Sequence, residues 1–427
     1  MKEDFGSAKK IGIFPREEEL KNKWKGINER VTVNESQYSF GQSEIFKNFE
    51  NNQFENNPIE YEKYNFYREE WYRRGKNYDP GNAPLAVCCE LVSTCNLGCS
   101  MCYTITEEFQ DSVVGATRML PWKVVKQVID ESAKIGVFSI LFSWRGESSL
   151  YRVKSEDGKT ILFSDVLKYA RSKNILEVSC LTHGQNFDEE SIEEIVKARP
   201  NWLNFSIDGL SSEYNKIRTP KNKQKDKNYN AFEKVCENIK LFNKIKKKYN
   251  TKRPQLRTNA VFPSIYKNPK EYADHLYKIG IDWVTVNEML DFRFDEVDDS
   301  EIKQDWACSY PFQRLTVSAN GTILPCTGAH NEEEGLVIGR YIGAPKKIVK
   351  EGNRFKPIEL NQMTLKEAWN SKKLNKIREL HKTNRRCEIK KGCRNCRHGM
   401  KKRGVDWVPD EWNLDTMKWE GHIWRNG

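Results

Sequence analysis

Residues 85–104 read LAVCCELVSTCNLGCSMCYT, an apolar stretch that gives way to three closely spaced cysteines. The short apolar run LAVCCELV at 85–92 reads as a buried strand, and the polar, glycine-containing text after it as a loop. Outward from this point, strands and helices alternate. PWKVVKQVIDESAKIG (121–136) opens on proline and closes on glycine, and Val124, Val125, Val128, Ile129 and Ile135 mark one helical face. Strands are predicted at 137–143, 175–180, 202–207, 254–262 and 281–287, and helices at 162–174, 187–199, 230–249 and 268–279. About six β/α units of this kind make a parallel sheet covered by helices, with right-handed crossovers. The sheet is either an open barrel or doubly wound. Both arrangements bind ligands at the carboxyl ends of the strands, where the cysteine loop falls.

The loop spaces its cysteines as Cys95-x3-Cys99-x2-Cys102. Three neighbouring thiolates suit a soft metal or an iron–sulfur cluster. A structural zinc site asks for a fourth Cys or His close by, and none follows. Three cysteines on a four-iron cube leave one iron open to a chelating ligand.

The rest of the chain narrows the class. Its 12 cysteines, without a secretory start (MKEDFGSAKK), point to metal or catalytic use in a reducing compartment, so a cytoplasmic location is expected. No apolar run is long enough to span a membrane. The net charge of +11 permits an anionic ligand without requiring nucleic acid, and no zinc-finger or RNA-binding signature argues for one. Residues 1–80 form a polar and aromatic extension without clear strand patterns, in which Tyr64, Tyr67 and Trp71 fall at helical spacing. That helix either packs on the outside of the main domain or forms a substrate lid. The basic stretch TPKNKQKDKNYN (219–230) reads as a solvated loop.

The cysteine spacing, with Tyr103 after the last cysteine, resembles the radical S-adenosylmethionine (SAM) superfamily. The resemblance covers roughly 85–290 and implies a partial (βα)6 TIM-like barrel at 81–300. It also implies a 4Fe–4S cluster on Cys95, Cys99 and Cys102, with S-adenosyl-L-methionine chelating the open iron through its amine and carboxylate. Reductive cleavage of the cofactor then gives a 5′-deoxyadenosyl radical. In SWRGESS (143–149), Arg145-Gly146-Glu147 resembles the family's glycine–glutamate turn that holds the methionine ammonium, with Arg145 in place of the usual glycine. In LTHGQNF, Thr182-His183-Gly184 resembles the turn near the ribose, with His183 for asparagine. In FSIDGLSSEYNKIR, the resemblance sets Ser206 and Arg218 against the methionine carboxylate, which an arginine fork suits. Asp208 there reads as a helix cap or a turn-fixing group. Period-two alternation in RTNAV puts Arg257, Asn259 and Val261 on one face, with Asn259 a further cofactor contact.

After about residue 300 the texture changes. Cys308 is followed by ANGTILPC, with Gly321 before Cys326, and then by Cys387, Cys393 and Cys396. With the phrase LKEAWNSKKLNKIREL in a helix at 364–380, this resembles a shortened SPASM or twitch extension, a small cysteine-rich α+β domain over 301–427. Cys308, Cys326, Cys393 and Cys396 are the expected ligands of a second, auxiliary 4Fe–4S cluster, leaving Cys387 spare. Zinc stays open as the alternative from ligand type alone. The basic residues Arg385, Arg386, Lys390, Lys391, Arg394 and Arg397 either raise that cluster's potential or form a solvated face.

What becomes of the substrate radical is read two ways. Electron transfer to the auxiliary cluster, with Glu288 or Asp291 taking a proton, gives oxidation. Hydrogen return from a thiol, with Cys180 or Cys387 as donor, gives epimerisation. The absence of a leader-gripping pattern in 1–80 favours a hydroxylated metabolite such as a sugar or aminocyclitol over a ribosomal peptide. The aromatic tail at 406–424 suits either, or packs on the core. An electron donor such as flavodoxin or ferredoxin is implied. An iron–sulfur carrier or zinc-bound interaction module is the non-enzymatic alternative, against which stands the three-ligand first site.

Overall fold

The computed structural model describes residues 31–34, 44–99, 101–106, 109–221, 229–262, 264–265, 268–288, 299–400, 412–413 and 418–419. Its core is a sheet in which β2 (Ala86–Cys89), β3 (Ser139–Leu141), β6 (Glu177–Thr182), β7 (Trp202–Ser206), β8 (Gln255–Phe262) and β9 (Trp283–Glu288) run parallel in that order. These are the six predicted strands, curled into the partial barrel. Beyond β9 lies β1 (Val31–Asn34), also parallel. It is a strand in the extension where none was expected, because VTVN is too short a run for alternation to register. A hairpin of β4 (Arg152–Lys154) and β5 (Thr160–Leu162), also unpredicted, interrupts the second crossover.

The helices form where apolar spacing and caps agree. α3 (Trp122–Lys134) buries Val124, Val125, Val128 and Ile129, and stops before Gly136, whose φ of +81° suits glycine. α4 (Phe163–Ser172), α5 (Glu189–Ala198), α7 (Ala231–Lys248) and α8 (Pro269–Ile279) follow successive strands and share one large core with the sheet's outer face. The seven-residue α6 (Ser211–Ile217) is too short to show a period; in the sequence only the helix-cap reading of Asp208 hints at it.

Two earlier helices close the other end of the barrel. α1 (Glu44–Gln53) sets Phe46 and Phe49 against Trp283, with ring centroids 4.7 and 4.9 Å apart. α2 (Pro58–Asn77) buries Tyr64, Tyr67 and Trp71, and Tyr67 stacks on Phe138 at 5.5 Å. Its contacts Leu85, Phe138 and Leu176 precede β2, β3 and β6, so the helix covers the strands' N-terminal ends. The cysteine loop leaves the opposite end. The helix is outer packing, and the lid alternative is set aside.

The C-terminal part is built onto the barrel's edge. β10 (Arg314–Val317) pairs parallel with β2, then β11 (Thr322–Leu324) and β12 (Gly339–Tyr341) continue antiparallel. β13 (Lys347–Glu351) and β14 (Arg354–Ile358) form a separate hairpin, and β15 (Gln362–Met363) ends the sheet. The single helix expected over 364–380 is two, α9 (Leu365–Trp369) and α10 (Lys372–Lys382), because Ser371 caps the second by accepting from Leu374 N at 3.2 Å. Among the described residues, no helix is long and apolar enough to cross a membrane.

Candidate active site

The loop carrying Cys95, Cys99 and Cys102 starts where β2 ends. Cys99 is buried and the other two half-buried. The Cys102 amide donates to the Cys99 carbonyl at 2.9 Å, and Leu97 N approaches the Cys95 sulfur at 3.4 Å. The loop is pinned from outside by the segment after Arg218. Gly98 N donates to Thr219 O at 2.7 Å, and Lys221 N to Asn96 O at 2.9 Å. The start of the basic stretch thus has a structural part; residues 222–228 of it lie outside the described residues. Burial and then the charge of Glu147 push the Cys95 thiol up to about 12, and burial pushes Cys99 up to about 11. Neighbouring sulfurs add to both shifts. Thiols held this high become ligands when a cation repays their ionisation. Among the described residues no three Cys, His, Asp or Glu side chains close around a single ion. The donor set of three clustered thiols fits a 4Fe–4S cube with one open iron.

Around this loop stand the ends of the neighbouring strands. Gly146 lies directly under it: a Cβ there would fall 2.2 Å from Val92 O and 2.6 Å from Thr94 O. Glu147 N also donates to Thr94 O at 3.0 Å. Gly146→Ala therefore forces apart backbone that leads straight into Cys95. It is expected to cost the first site its iron, about four per chain. Iron analysis showing a full complement would contradict this.

The Glu147 carboxylate is buried. It accepts from Thr182 Oγ1 at 2.7 Å, His183 N at 2.9 Å, and Ser149 N and Oγ at 3.1 and 2.6 Å. Burial pushes its pKa up, yet the net shift is downward. Burial lowers the pKa of the adjacent His183 ring and keeps it neutral, so the hydrogen bonds are what hold Glu147 ionised. The His183 Nδ1 accepts from Gln185 N at 3.0 Å, which leaves Nε2 to donate to Asn96 Oδ1 at 2.9 Å. His183 thus ties the end of β6 to the cysteine loop. Asp208 receives Arg218 Nε at 2.7 Å and Val261 N at 2.7 Å, fixing the turn rather than capping α6, whose N-cap is Leu210. Arg218 is thereby held near Cys99, whose pKa its charge lowers. Ser206 and Asn259 are paired in register across β7 and β8, and Asn259 Oδ1 accepts from Thr285 at 3.1 Å. A carboxylate beside Cys95 and a guanidinium beside Cys99 complement an amino acid's ammonium and carboxylate.

Three expectations need correction. Arg145 is wholly buried, and its guanidinium is committed to Glu90 (2.6 Å), Glu332 (3.0 Å) and the His330 carbonyl (3.2 Å). Glu332 also pairs with Lys347 and accepts from Asn320 and Thr322. Burial raises the Glu332 pKa, but Lys347 and Arg145 outweigh it and hold the carboxyl at about 2. Arg145 joins the barrel to the C-terminal part instead of facing a cofactor. Tyr103 turns the same way, its hydroxyl 2.8 Å from His330 Nδ1. Cys180 sits with Val178 in the helix-facing core, away from the barrel interior, and is not placed to return a hydrogen to a substrate there. Glu288 ends β9, with its side chain outside the described residues; Asp291 and most of the 406–424 tail are outside them too.

In the C-terminal part, Cys308, Cys326, Cys393 and Cys396 line one cavity together with His381 and His398. Burial first, then the neighbouring sulfurs, push the Cys326 thiol up to about 12 and raise Cys308 and Cys393 as well. Four gathered thiols fit a cluster with every iron ligated. Cys387 is not among the residues lining this cavity. Of the basic residues, Arg385, Lys391 and Arg394 pair on the surface with Glu388, Glu334 and Asp299. Arg386 is buried and grips the carbonyls of Trp306, Lys303, Gly399 and Cys393. Glu90, Glu332, His330 and His381 went unread in the sequence. Glu90 left one trace, a lone acid inside an apolar strand.

A family model described as the radical SAM superfamily matches residues 90–247, and one described as an iron–sulfur cluster-binding domain, SPASM, matches residues 308–397. No curated protein matches. Among solved structures the chain is similar to native anSMEcpe with bound AdoMet, at 16% identity over 74% of this chain and 90% of that one, with a TM-score of 0.48. It is also similar to Streptococcus suis SuiB bound to the precursor peptide SuiA, at 14% identity over 76% and 72%, TM-score 0.43. A third is BtrN in complex with AdoMet and 2-DOIA, at 12% identity over 71% and 89%, TM-score 0.40.

Proposed function

Because the chain belongs to the radical SAM superfamily and carries a SPASM iron–sulfur domain, we propose that it is an oxidoreductase that removes two electrons from a hydroxylated small molecule, such as a sugar or aminocyclitol. When bound, the first cluster and S-adenosylmethionine supply a 5′-deoxyadenosyl radical for hydrogen abstraction, and the auxiliary cluster supplies a one-electron acceptor. The chain's own part is to hold the reactants. Glu147 and Arg218 orient the amino-acid end of the cofactor through its ammonium and carboxylate. Gly146 lets the turn that bears Glu147 pack under the cysteine loop, and His183 fixes that loop through Asn96. Loss of a hydrogen atom, then of an electron and a proton, leaves a carbonyl. We assign the proton to Glu288, the last residue of the sixth strand, or to Asp291, three residues later in the sequence.

The observation that carries this reading is the set of four cysteines around one cavity. A fully ligated cluster has no iron for substrate to bind, so its use is electron transfer. Epimerisation needs a thiol facing the substrate; of the two candidate donors Cys180 lies in the helix-side core, which leaves Cys387 alone for that route. The test is anaerobic turnover of a polyol panel in deuterated buffer. The expected result is a carbonyl product formed with 5′-deoxyadenosine, and recovered substrate free of solvent deuterium. Deuterium in an otherwise unchanged or inverted substrate would make the enzyme an epimerase. Conversion of peptides alone would move the substrate class.

A further inference from the structure

α10 delivers His381 to the wall of the auxiliary cavity, where the residue is wholly buried. Its ring touches two of the four cysteines. The backbone N–H of Cys308 donates to Nδ1 at 3.0 Å, and Nε2 lies 3.4 Å from the sulfur of Cys393. A backbone amide only donates, so Nδ1 must be the accepting nitrogen. A neutral imidazole carries one proton, which then resides on Nε2. That proton points at sulfur, and the tautomer is locked by the backbone of another ligand. No water is needed to complete the arrangement.

We propose that His381 is a positioning residue that donates an N–H···S hydrogen bond to the Cys393 ligand and thereby sets the potential of the auxiliary cluster. A hydrogen bond to a ligand sulfur draws electron density from the thiolate and favours the reduced, more negative cluster, so the potential rises. An acceptor of the substrate's electron needs that bias. The same ring also couples Cys308 to Cys393, holding two ligands from distant parts of the chain at a fixed separation. The inference rests on Cys393 being a ligand of an electron-accepting cluster, as proposed above.

The experiment uses the full chain carrying Cys95→Ala, Cys99→Ala and Cys102→Ala, so that only the auxiliary site loads. Midpoint potentials are read by EPR-monitored titration. His381→Leu is expected to keep its iron while its midpoint moves to more negative values. His381→Gln, which restores an N–H donor, should return most of the way. An unchanged midpoint in loaded His381→Leu overturns the inference and leaves the ligand assignment standing. Retention of the full auxiliary cluster in Cys393→Ala overturns the ligand assignment itself. If His381→Leu does not hold iron, pulsed EPR on protein with ring-15N histidine decides. A 15N coupling at the reduced cluster that disappears in His381→Gln is expected, and no coupling in the parent overturns the proposal.

Discussion

Cys99→Ala protein is expected to cleave no S-adenosylmethionine while keeping its auxiliary iron. Cys99 is the most buried thiol of its loop and lies between the other two in sequence. Removing it leaves two thiols, too few to retain a cube that already has one iron without a protein ligand. The fold has little reason to fail, because the turn is closed by backbone, Cys102 N to Cys99 O at 2.9 Å, which alanine preserves. Iron should fall from about eight to about four per chain, and 5′-deoxyadenosine should drop to background. Retained cleavage would remove Cys99 from the ligand set. Loss of all iron would mean that the two sites load as one unit.

The second large effect is structural. Arg145→Ala should destabilise the protein by about 3–5 kcal/mol, the cost of stranding buried charges after their partner is removed. Glu90 and Glu332 both face the missing guanidinium, and both have side chains with 0% exposure. Glu332 keeps Lys347, but Glu90 is left with only its backbone donors, Arg145 N at 3.1 Å and Ala319 N at 2.9 Å. Urea denaturation measures the loss. Adding Glu90→Gln to Arg145→Ala should recover part of it, since the stranded charge is gone. A loss under about 1 kcal/mol, the value of an exposed pair, would mean that the network is not the clamp between barrel and C-terminal part. The clamp also matters for function, because Arg145 lies two residues before Glu147 and Glu332 six after Cys326. It therefore ties the turn that bears Glu147 to the segment that follows Cys326.

How much of this was readable in advance depended on distance along the chain. The first site's three cysteines are seven residues apart from end to end and announce themselves by spacing. The six strands show because buried parallel strands are continuous apolar runs. The four auxiliary cysteines span 308–396, and there the family pattern carried the expectation where geometry was silent. Arg145 was misread because its partners lie 55 and 187 residues away, and nothing local marks a buried ion pair. Glu332 hides in the acidic run NEEEG, which looks like surface. Tyr64, Tyr67 and Trp71 gave the correct face of their helix, but no sequence pattern says which end of a barrel a helix covers. His381 resembles an ordinary basic residue in a last helical turn; its use appears only when α10 meets Cys308 and Cys393.

A two-cluster radical enzyme is tested most directly by one anaerobic assay of wild-type protein. Iron and sulfide are reconstituted, iron is counted, and dithionite and S-adenosylmethionine are added with candidate substrates. About eight irons per chain together with 5′-deoxyadenosine is the predicted result. A fully loaded protein that leaves S-adenosylmethionine intact would rule out radical chemistry and return the chain to the class of electron carriers.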